Sequence, residues 1–132
     1  MVRIADDDID AYPDVVVYCE DATFDSRFSR TLLEPLVLVE MLSPSTKNGD
    51  LTTKRIAYFE LPTVTDYLVV WQDKVRLDQF VRATNPTDEP ELRRHLNRNS
   101  RVRLEALNIE FSLGELYRLL EDLPEGELQH DR

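Results

Sequence analysis

Two carboxylates interrupt the most apolar stretches of the chain. Glu40 lies within "PLVLVEML" at 35–42, and Asp14 opens "DVVVYC" at 14–19. A carboxylate inside a core strand is costly unless it is paired, protonated or bound to a metal. If the two strands are neighbours, the carboxylates converge and repel each other unless a cation lies between them. Oxygen ligands of this kind suit a hard ion such as Mg²⁺.

A simpler interpretation of both residues stays open at this point. Asp14 follows Pro13 and could cap a turn, and Glu40 could pair with a nearby arginine. Lys54 favours a site, because on a helix over 51–61 it falls on the apolar side near Leu51 and Tyr58. A lysine facing the sheet there can reach Glu40. Alternatively its stem covers apolar surface while its amine stays in water, and Arg55, in the same arc, is its competitor.

The elements that must position these residues follow from the pattern. A run of apolar, β-branched residues bounded by proline predicts a strand, and alternation across a short polar turn predicts a hairpin. The polar stretch 83–100 shows no clear period. We predict strands at 2–5, 13–20 and 35–42, a helix from Asn48 or Asp50 to about Leu61, a hairpin over 66–82 with its turn at 72–74, another strand at 101–107 and a helix over 112–123. This order indicates an α/β sheet flanked by helices.

Length and composition narrow the function classes. The 132 residues predict one domain over 1–123, with a frayed tail at 124–132. No apolar run is long enough to span a membrane and no signal peptide is visible. The single cysteine, Cys19, is expected to fill the core, and a cytoplasmic location follows as the default.

Charge argues against broad binding to a nucleic-acid backbone, because the net charge is −10. Basic residues are nevertheless concentrated in one stretch, which is either a solvated face or a weak nucleic-acid-binding surface. The residues concerned are Arg93, Arg94, Arg98, Arg101 and Arg103.

Several of these segments, taken together, resemble one known family. "YPDVVVYCE", "PLVLVEMLSPST", the Asp50 and Lys54 pair, Tyr58 and "DYLVV" are similar to Uma2 proteins, also called DUF820. These belong to the PD-(D/E)XK superfamily of nucleases. The resemblance implies a restriction-endonuclease-like fold: a mixed central β-sheet flanked by helices, with a metal site at the ends of two adjacent strands.

The resemblance also assigns roles to residues. It places Asp14 at the Asp of the PD motif, Glu40 at the second acidic position and Lys54 at the family's helical lysine. These three would be catalytic, and Asp14, Glu40 and the Met41 carbonyl would bind Mg²⁺ or Mn²⁺. The superfamily's usual lysine position, two residues after the acid, is Leu42 here. Residues that match with supporting roles are Ser43, Ser45, Asp50 and Tyr58.

The implied activity is metal-dependent hydrolysis of DNA phosphodiester bonds. The alternative is a catalytically inactive remnant that binds DNA or protein. The family's usual N-terminal helical segment is not seen before the first strand, and "NPTDEPELRRHLNRNSR" is longer than expected. A sheet left partly uncovered in this way predicts a homodimer.

Overall fold

The computed structural model describes residues 2–4, 9–11, 13–19, 24, 32–43 and 50–126. Its centre is a five-stranded sheet in the order β3-β4-β5-β6-β7. The strands are β3 (Val15–Val17), β4 (Val37–Leu42), β5 (Asp66–Trp71), β6 (Leu77–Val81) and β7 (Glu91–His95). Only the β4–β5 pair is parallel, and the other three neighbouring pairs are antiparallel. The fold is therefore an α/β fold built on a mixed sheet, as the resemblance implies.

Two smaller strand pairs and two short helices complete the described structure. The strand pairs are β1 (Val2–Ile4) with β2 (Ile9–Ala11) and β8 (Arg101–Leu104) with β9 (Ile109–Ser112). The helices are α1 (Asp50–Phe59) and α2 (Leu113–Leu116), and a 3₁₀ turn covers Glu105–Leu107. No helix in the described ranges is long and apolar enough to cross a membrane.

Helix α1 connects the parallel strands β4 and β5, and its end is fixed by a side chain from another strand. The guanidinium of Arg82 donates hydrogen bonds to the carbonyl oxygens of Phe59, Leu61 and Val64, at 3.1, 2.8 and 2.6 Å. Phe59 is the last residue of α1, where carbonyl groups lack a partner within the helix, and Leu61 and Val64 belong to the segment that follows. Arg82 thereby holds the C-terminal end of α1 against the sheet.

The two faces of the sheet carry separate cores. On the first face α1 packs through Tyr58 on Leu38, Tyr67 and Val69. On the second face Val102, Leu104, Leu113 and Tyr117, from β8, α2 and its end, pack on β4–β6. Alternate residues of each strand point to opposite faces. Leu38, Glu40 and Leu42 therefore share the first face with α1.

The structure confirms the predicted helix after β4 and the hairpin over 66–82, and it corrects three other predictions. Cys19 is exposed rather than part of the core. The polar stretch 83–100, for which no element was predicted, contains strand β7. This strand is polar because it lies at the edge of the sheet and pairs through its backbone. An edge strand needs few apolar side chains, so periodicity does not reveal it.

The third correction concerns the C-terminal helix. Only Leu113–Leu116 is α-helical, and the chain continues as turns in which Leu120 and Leu123 donate to carbonyls three residues earlier. Leu119 is 86% exposed, so a longer helix would gain little by burial. Arg98 donates to the carbonyl oxygens of Tyr117 and Leu120 and so ties down this end.

The chain beyond this helix stays attached to the sheet for a few residues. Val75 donates to the carbonyl of Pro124, and Gly126 donates to the carbonyl of Val75, at 2.8 and 3.0 Å. The segment 124–126 is thus held in place, and the rest of the predicted tail, 127–132, lies outside the described residues. The extent of the domain remains a prediction.

A buried polar cluster stabilises the second face. The Gln79 amide nitrogen donates to the Asp66 carboxylate at 3.0 Å and to the Arg103 carbonyl at 2.7 Å. The Gln79 amide oxygen lies 3.1 Å from the Nε2 atom of His95. Burial, and secondarily the Arg93 charge, lower the pKa of His95, so the neutral ring predominates at pH 7. Gln79 therefore connects β5, β6, β7 and β8.

Replacing Gln79 with methionine should destabilise the protein by about 1–3 kcal/mol, because the buried Asp66 carboxylate loses its donor. Chemical denaturation measures the free energy of unfolding. The matched control is Gln72→Met, since Gln72 is exposed and should change little. Equal effects of the two substitutions would contradict a structural role for the cluster.

Candidate active site

A single row of side chains crosses the first face of the sheet. Glu40 on β4 is paired in register with Val69 on β5, Val69 with Asp78 on β6, and Asp78 with Arg94 on β7. On the other side Val15 pairs with Val39, and continuing this register by one residue places Asp14 opposite Glu40. Directly opposed residues have Cβ atoms roughly 5 Å apart. The predicted adjacency of the two acidic residues therefore holds.

Extending the alternation of β3 by two residues places Asp14 on the same face as Glu40. Leu38 and Leu42 pack in the α1-side core and flank Glu40 at the spacing of alternate residues. Val16, two residues after Asp14, packs against the same core. Continued from Val16 to Asp14, the alternation therefore favours one face for the two acidic residues over opposite faces.

Glu40 is buried and has two partners from α1. Its Oε1 atom accepts a hydrogen bond of 2.9 Å from the Tyr58 hydroxyl and lies 3.6 Å from the Lys54 ammonium nitrogen. Lys54 and Tyr58 are four residues apart, so they lie one helical turn from each other on the same side of α1. The structure does not show the alternative in which Glu40 pairs with an arginine. Arg55, the competitor of Lys54 on α1, instead lies over the Phe80 ring, 5.0 Å from its centroid.

Asp14, the second acidic residue, is exposed to solvent. Its Oδ2 atom accepts a hydrogen bond of 2.7 Å from the Met41 backbone nitrogen. The carboxylate is therefore bound across the strands to the residue after Glu40, rather than capping a turn in its own segment. The Met41 side chain is exposed, and its backbone N–H group points toward Asp14.

The electrostatics of the site keep Tyr58 as a donor. Burial, and next the charge of Glu40, hold the pKa of the Tyr58 hydroxyl far above its ordinary value. Tyr58 is thus protonated at any physiological pH and fixes one oxygen of Glu40. The Lys54 side chain is 41% exposed, so the ion pair opens to solvent on one side. Solvent and solutes can reach the site from there.

The carboxylates can hold a divalent ion only in a partly hydrated form. The donors are two carboxylates, and within the described residues no cluster of three His, Cys, Asp or Glu side chains is found. Mg²⁺ is commonly held by one or two carboxylates and keeps several waters. The donor set therefore fits Mg²⁺ or Mn²⁺ and does not fit a fully enclosed structural metal.

The remaining predicted residues have mixed outcomes. Ser43 follows β4 and is partly buried, and Asp50 is the first residue of α1, as expected of a helix start. Ser45 lies outside the described residues. Nothing in the structure tests the roles of these residues or of the Met41 carbonyl, which stay predictions.

Most of the basic stretch has internal partners. Arg93 pairs with Glu91, Arg101 with Glu110, and Arg103 with Glu105. Arg98 bonds to the carbonyls after α2. Of the five arginines, Arg94 lies in the same cross-strand row as Glu40. The five arginines therefore do not form one surface.

Sequence reasoning missed Asp78 and its partner. The Arg76 guanidinium donates two hydrogen bonds of 3.0 Å to the two oxygens of Asp78. The signal was available, because the alternation in the hairpin places Arg76 and Asp78 on the same side as Phe80. What the alternation could not show was that this side faces α1.

Tyr58→Phe should destabilise the fold by about 1–2 kcal/mol, since the buried Glu40 loses its hydroxyl donor. Tyr18→Phe is the control, because Tyr18 is 48% exposed. Thermal or chemical unfolding of both variants provides the comparison. A Tyr58→Phe protein as stable as the wild type would show that the hydroxyl contributes nothing to holding Glu40.

Comparison with known proteins agrees with this architecture. A family described as "Uma2: Putative restriction endonuclease" matches residues 2–117. The uncharacterized protein slr1290 of Synechocystis sp. is 29% identical over 106 residues, which are 80% of this chain and 53% of that protein. The chain thus spans about half the length of this relative. No solved structure matches significantly. With the family match covering most of its length, the chain belongs to the Uma2 family of restriction-endonuclease-like proteins.

Proposed function

We propose that this protein is a metal-dependent endonuclease that hydrolyses phosphodiester bonds of DNA, with Asp14, Glu40 and Lys54 as its catalytic residues. The observation that supports this is the convergence of three charged groups. The β3–β4 register, continued by one residue, puts Asp14 opposite Glu40, and Lys54 lies 3.6 Å from the Glu40 carboxylate. The family to which the chain belongs is of the same nuclease-like kind.

The metal would be held by the carboxylates of Asp14 and Glu40, with the Met41 carbonyl as a further ligand. Once bound, Mg²⁺ or Mn²⁺ supplies Lewis-acid polarisation of the phosphodiester and a more acidic water. The Tyr58 hydroxyl fixes one oxygen of Glu40. The Met41 amide fixes one oxygen of Asp14. Each carboxylate keeps a second oxygen for the ion, and both are pre-oriented before it arrives.

Lys54 would act on the reacting phosphate. Its ammonium group is partly exposed beside Glu40, so it can turn toward a phosphate in the site. There it would orient the attacking water or stabilise the negative charge that develops on the phosphate. This role predicts that Lys54 affects the rate far more than it affects metal binding.

Nicking of supercoiled plasmid in Mg²⁺ and in Mn²⁺ tests the proposal. Glu40→Gln should lower the rate at least about 100-fold, since the amide cannot hold the ion, and Lys54→Ala should lower it about 100- to 1,000-fold. Mn²⁺ binding should be lost in the first variant and retained in the second. Glu110→Gln, which breaks only a surface ion pair, should nick like the wild type.

Unfolding measurements exclude a trivial cause for lost activity. Glu40→Gln keeps an acceptor for Tyr58 and removes an ion pair whose lysine is 41% exposed, so the free energy of unfolding should change by no more than about 1 kcal/mol. A strongly destabilised Glu40→Gln protein, together with a wild type that nicks in neither metal, would contradict the nuclease and support the non-catalytic binding module.

We further propose a cytoplasmic homodimer. Exposed apolar side chains lie together where β4 meets the end of α2: Met41, Leu116 and Leu120 line a cavity of about 340 Å³ and are 42–52% exposed. Covering such a patch favours association.

Light scattering at micromolar concentration should show about twice the chain mass of 15.4 kDa. Only the monomer mass would count against the dimer, and Leu120→Lys should produce that mass if this patch is the interface.

A further inference from the structure

A cavity of about 240 Å³ lies beside the candidate active site on the same face of the sheet. Its floor consists of two rows of residues in register across β5, β6 and β7. These rows are Tyr67–Phe80–Leu92 and Val69–Asp78–Arg94. Its wall is the start of α1, which contributes Leu51, Thr52 and Arg55. The cavity and the candidate active site therefore share one helix and one row of the sheet.

The distance between the two sites follows from the strand spacing. Neighbouring strands lie about 4.8 Å apart, so the β6 and β7 positions of the row are roughly 10 and 14 Å from Glu40. A group bound between Arg55 and Arg94 would be too far from Glu40 to be the phosphate under attack. It would be close enough to belong to the same nucleic-acid strand.

The cavity is positively charged although the chain as a whole is negative. Arg55 and Arg94 both line it, and its carboxylate, Asp78, is neutralised by the two hydrogen bonds from Arg76. Within the described residues neither Arg55 nor Arg94 forms an ion pair. The lining residues thus carry a net charge of +1, against −10 for the chain. Such an excess attracts an anion to this position.

Arg55 is also pre-organised for a ligand. Its guanidinium lies 5.0 Å above the centroid of the Phe80 ring, and this cation–π contact holds the planar group in place. An oriented guanidinium can present two N–H groups to a phosphate. The first turn of α1 adds backbone N–H groups, which favour negative charge at that end of the helix.

The floor of the cavity contains an unsatisfied donor. Tyr67 is fully buried, and its hydroxyl has no hydrogen-bond partner within the described residues. A buried hydroxyl without a partner is energetically unfavourable. The hydroxyl is closed to solvent in this structure, so a ligand oxygen would become its acceptor only if the surrounding side chains shift.

We infer that this cavity binds a backbone phosphate of the DNA strand that is cleaved, a short distance along that strand from the scissile phosphate, through Arg55 and Arg94. The inference rests on the proposed nuclease function for the identity of the ligand. Arg55 and Arg94 are positioning residues in this account, because they hold the strand and do not touch the reacting atoms. The strand would cross β4 to β7 along the row from Glu40 to Arg94.

The test is binding of a fluorescent DNA duplex, followed by anisotropy in EDTA over a range of salt concentrations. Without metal no strand is cut, so binding is measured apart from catalysis. The double variant Arg55→Gln with Arg94→Gln should weaken binding about tenfold and lower the slope of log K against log salt by about 1, the value for one lost phosphate contact. Arg55→Lys with Arg94→Lys should restore most of the slope.

The matched control removes the same charge elsewhere. Arg93→Gln with Arg101→Gln disrupts two surface ion pairs and should leave the slope unchanged. Melting temperatures show whether each variant is folded. If loss of the Phe80 contact unfolds the Arg55 variant, Arg94→Gln alone, at an exposed position, should still lower the slope.

The outcomes separate this inference from the nuclease proposal. A wild type that nicks plasmid, with a double variant that binds DNA like the control variant, would overturn the phosphate site and leave the nuclease intact. A reduced slope in a protein that never nicks would support the site and reject the nuclease. A wild type with no measurable DNA binding would overturn the inference.

Discussion

The carboxylate of Glu40 is buried between the central sheet and α1, where an isolated charge would be strongly unfavourable. Tyr58 donates to it and Lys54 lies beside it, and both come from the same side of the helix. The placement of α1 therefore determines which partners the buried Glu40 carboxylate has. Because α1 directly follows β4, the strand that carries the acid and the helix that stabilises it are adjacent in sequence as well as in space.

The position of α1 depends in turn on contacts that are remote from the site. Arg82 on the far side of the hairpin binds the carbonyls at the C-terminal end of the helix. Tyr58 and Tyr67 pack edge to face at 5.3 Å near the same end of the helix. At its other end the helix forms the wall of the arginine-lined cavity. One rigid helix thus places the Glu40 partners and Arg55 at fixed positions relative to each other, as positioning of a polymeric substrate requires.

Sequence reasoning predicted the parts of the fold with strong local signals. The buried strand around Glu40, the helix carrying Lys54 and the hairpin that follows all have clear periodicity, and all three are present. The edge strand β7 was missed because edge strands are polar, and the C-terminal helix was overestimated because Leu119 and Leu120 have the pattern of a buried face without a partner. Cys19 was expected to be buried because a single cysteine is usually part of the core. It is exposed, since it lies just after the edge strand β3.

For the site, the pattern identified Asp14, Glu40 and Lys54, and the register placed the two acids opposite each other. It could not identify Asp78 and Arg94, because their alignment with Glu40 depends on pairing across four strands. The central claim is that Asp14 and Glu40 form one site for a divalent ion. Titration of Mn²⁺ followed by electron paramagnetic resonance tests it most directly. One ion per chain, lost in both Asp14→Asn and Glu40→Gln and retained in Glu110→Gln, is the predicted result. Unchanged Mn²⁺ binding in either acidic-site variant would contradict the claim.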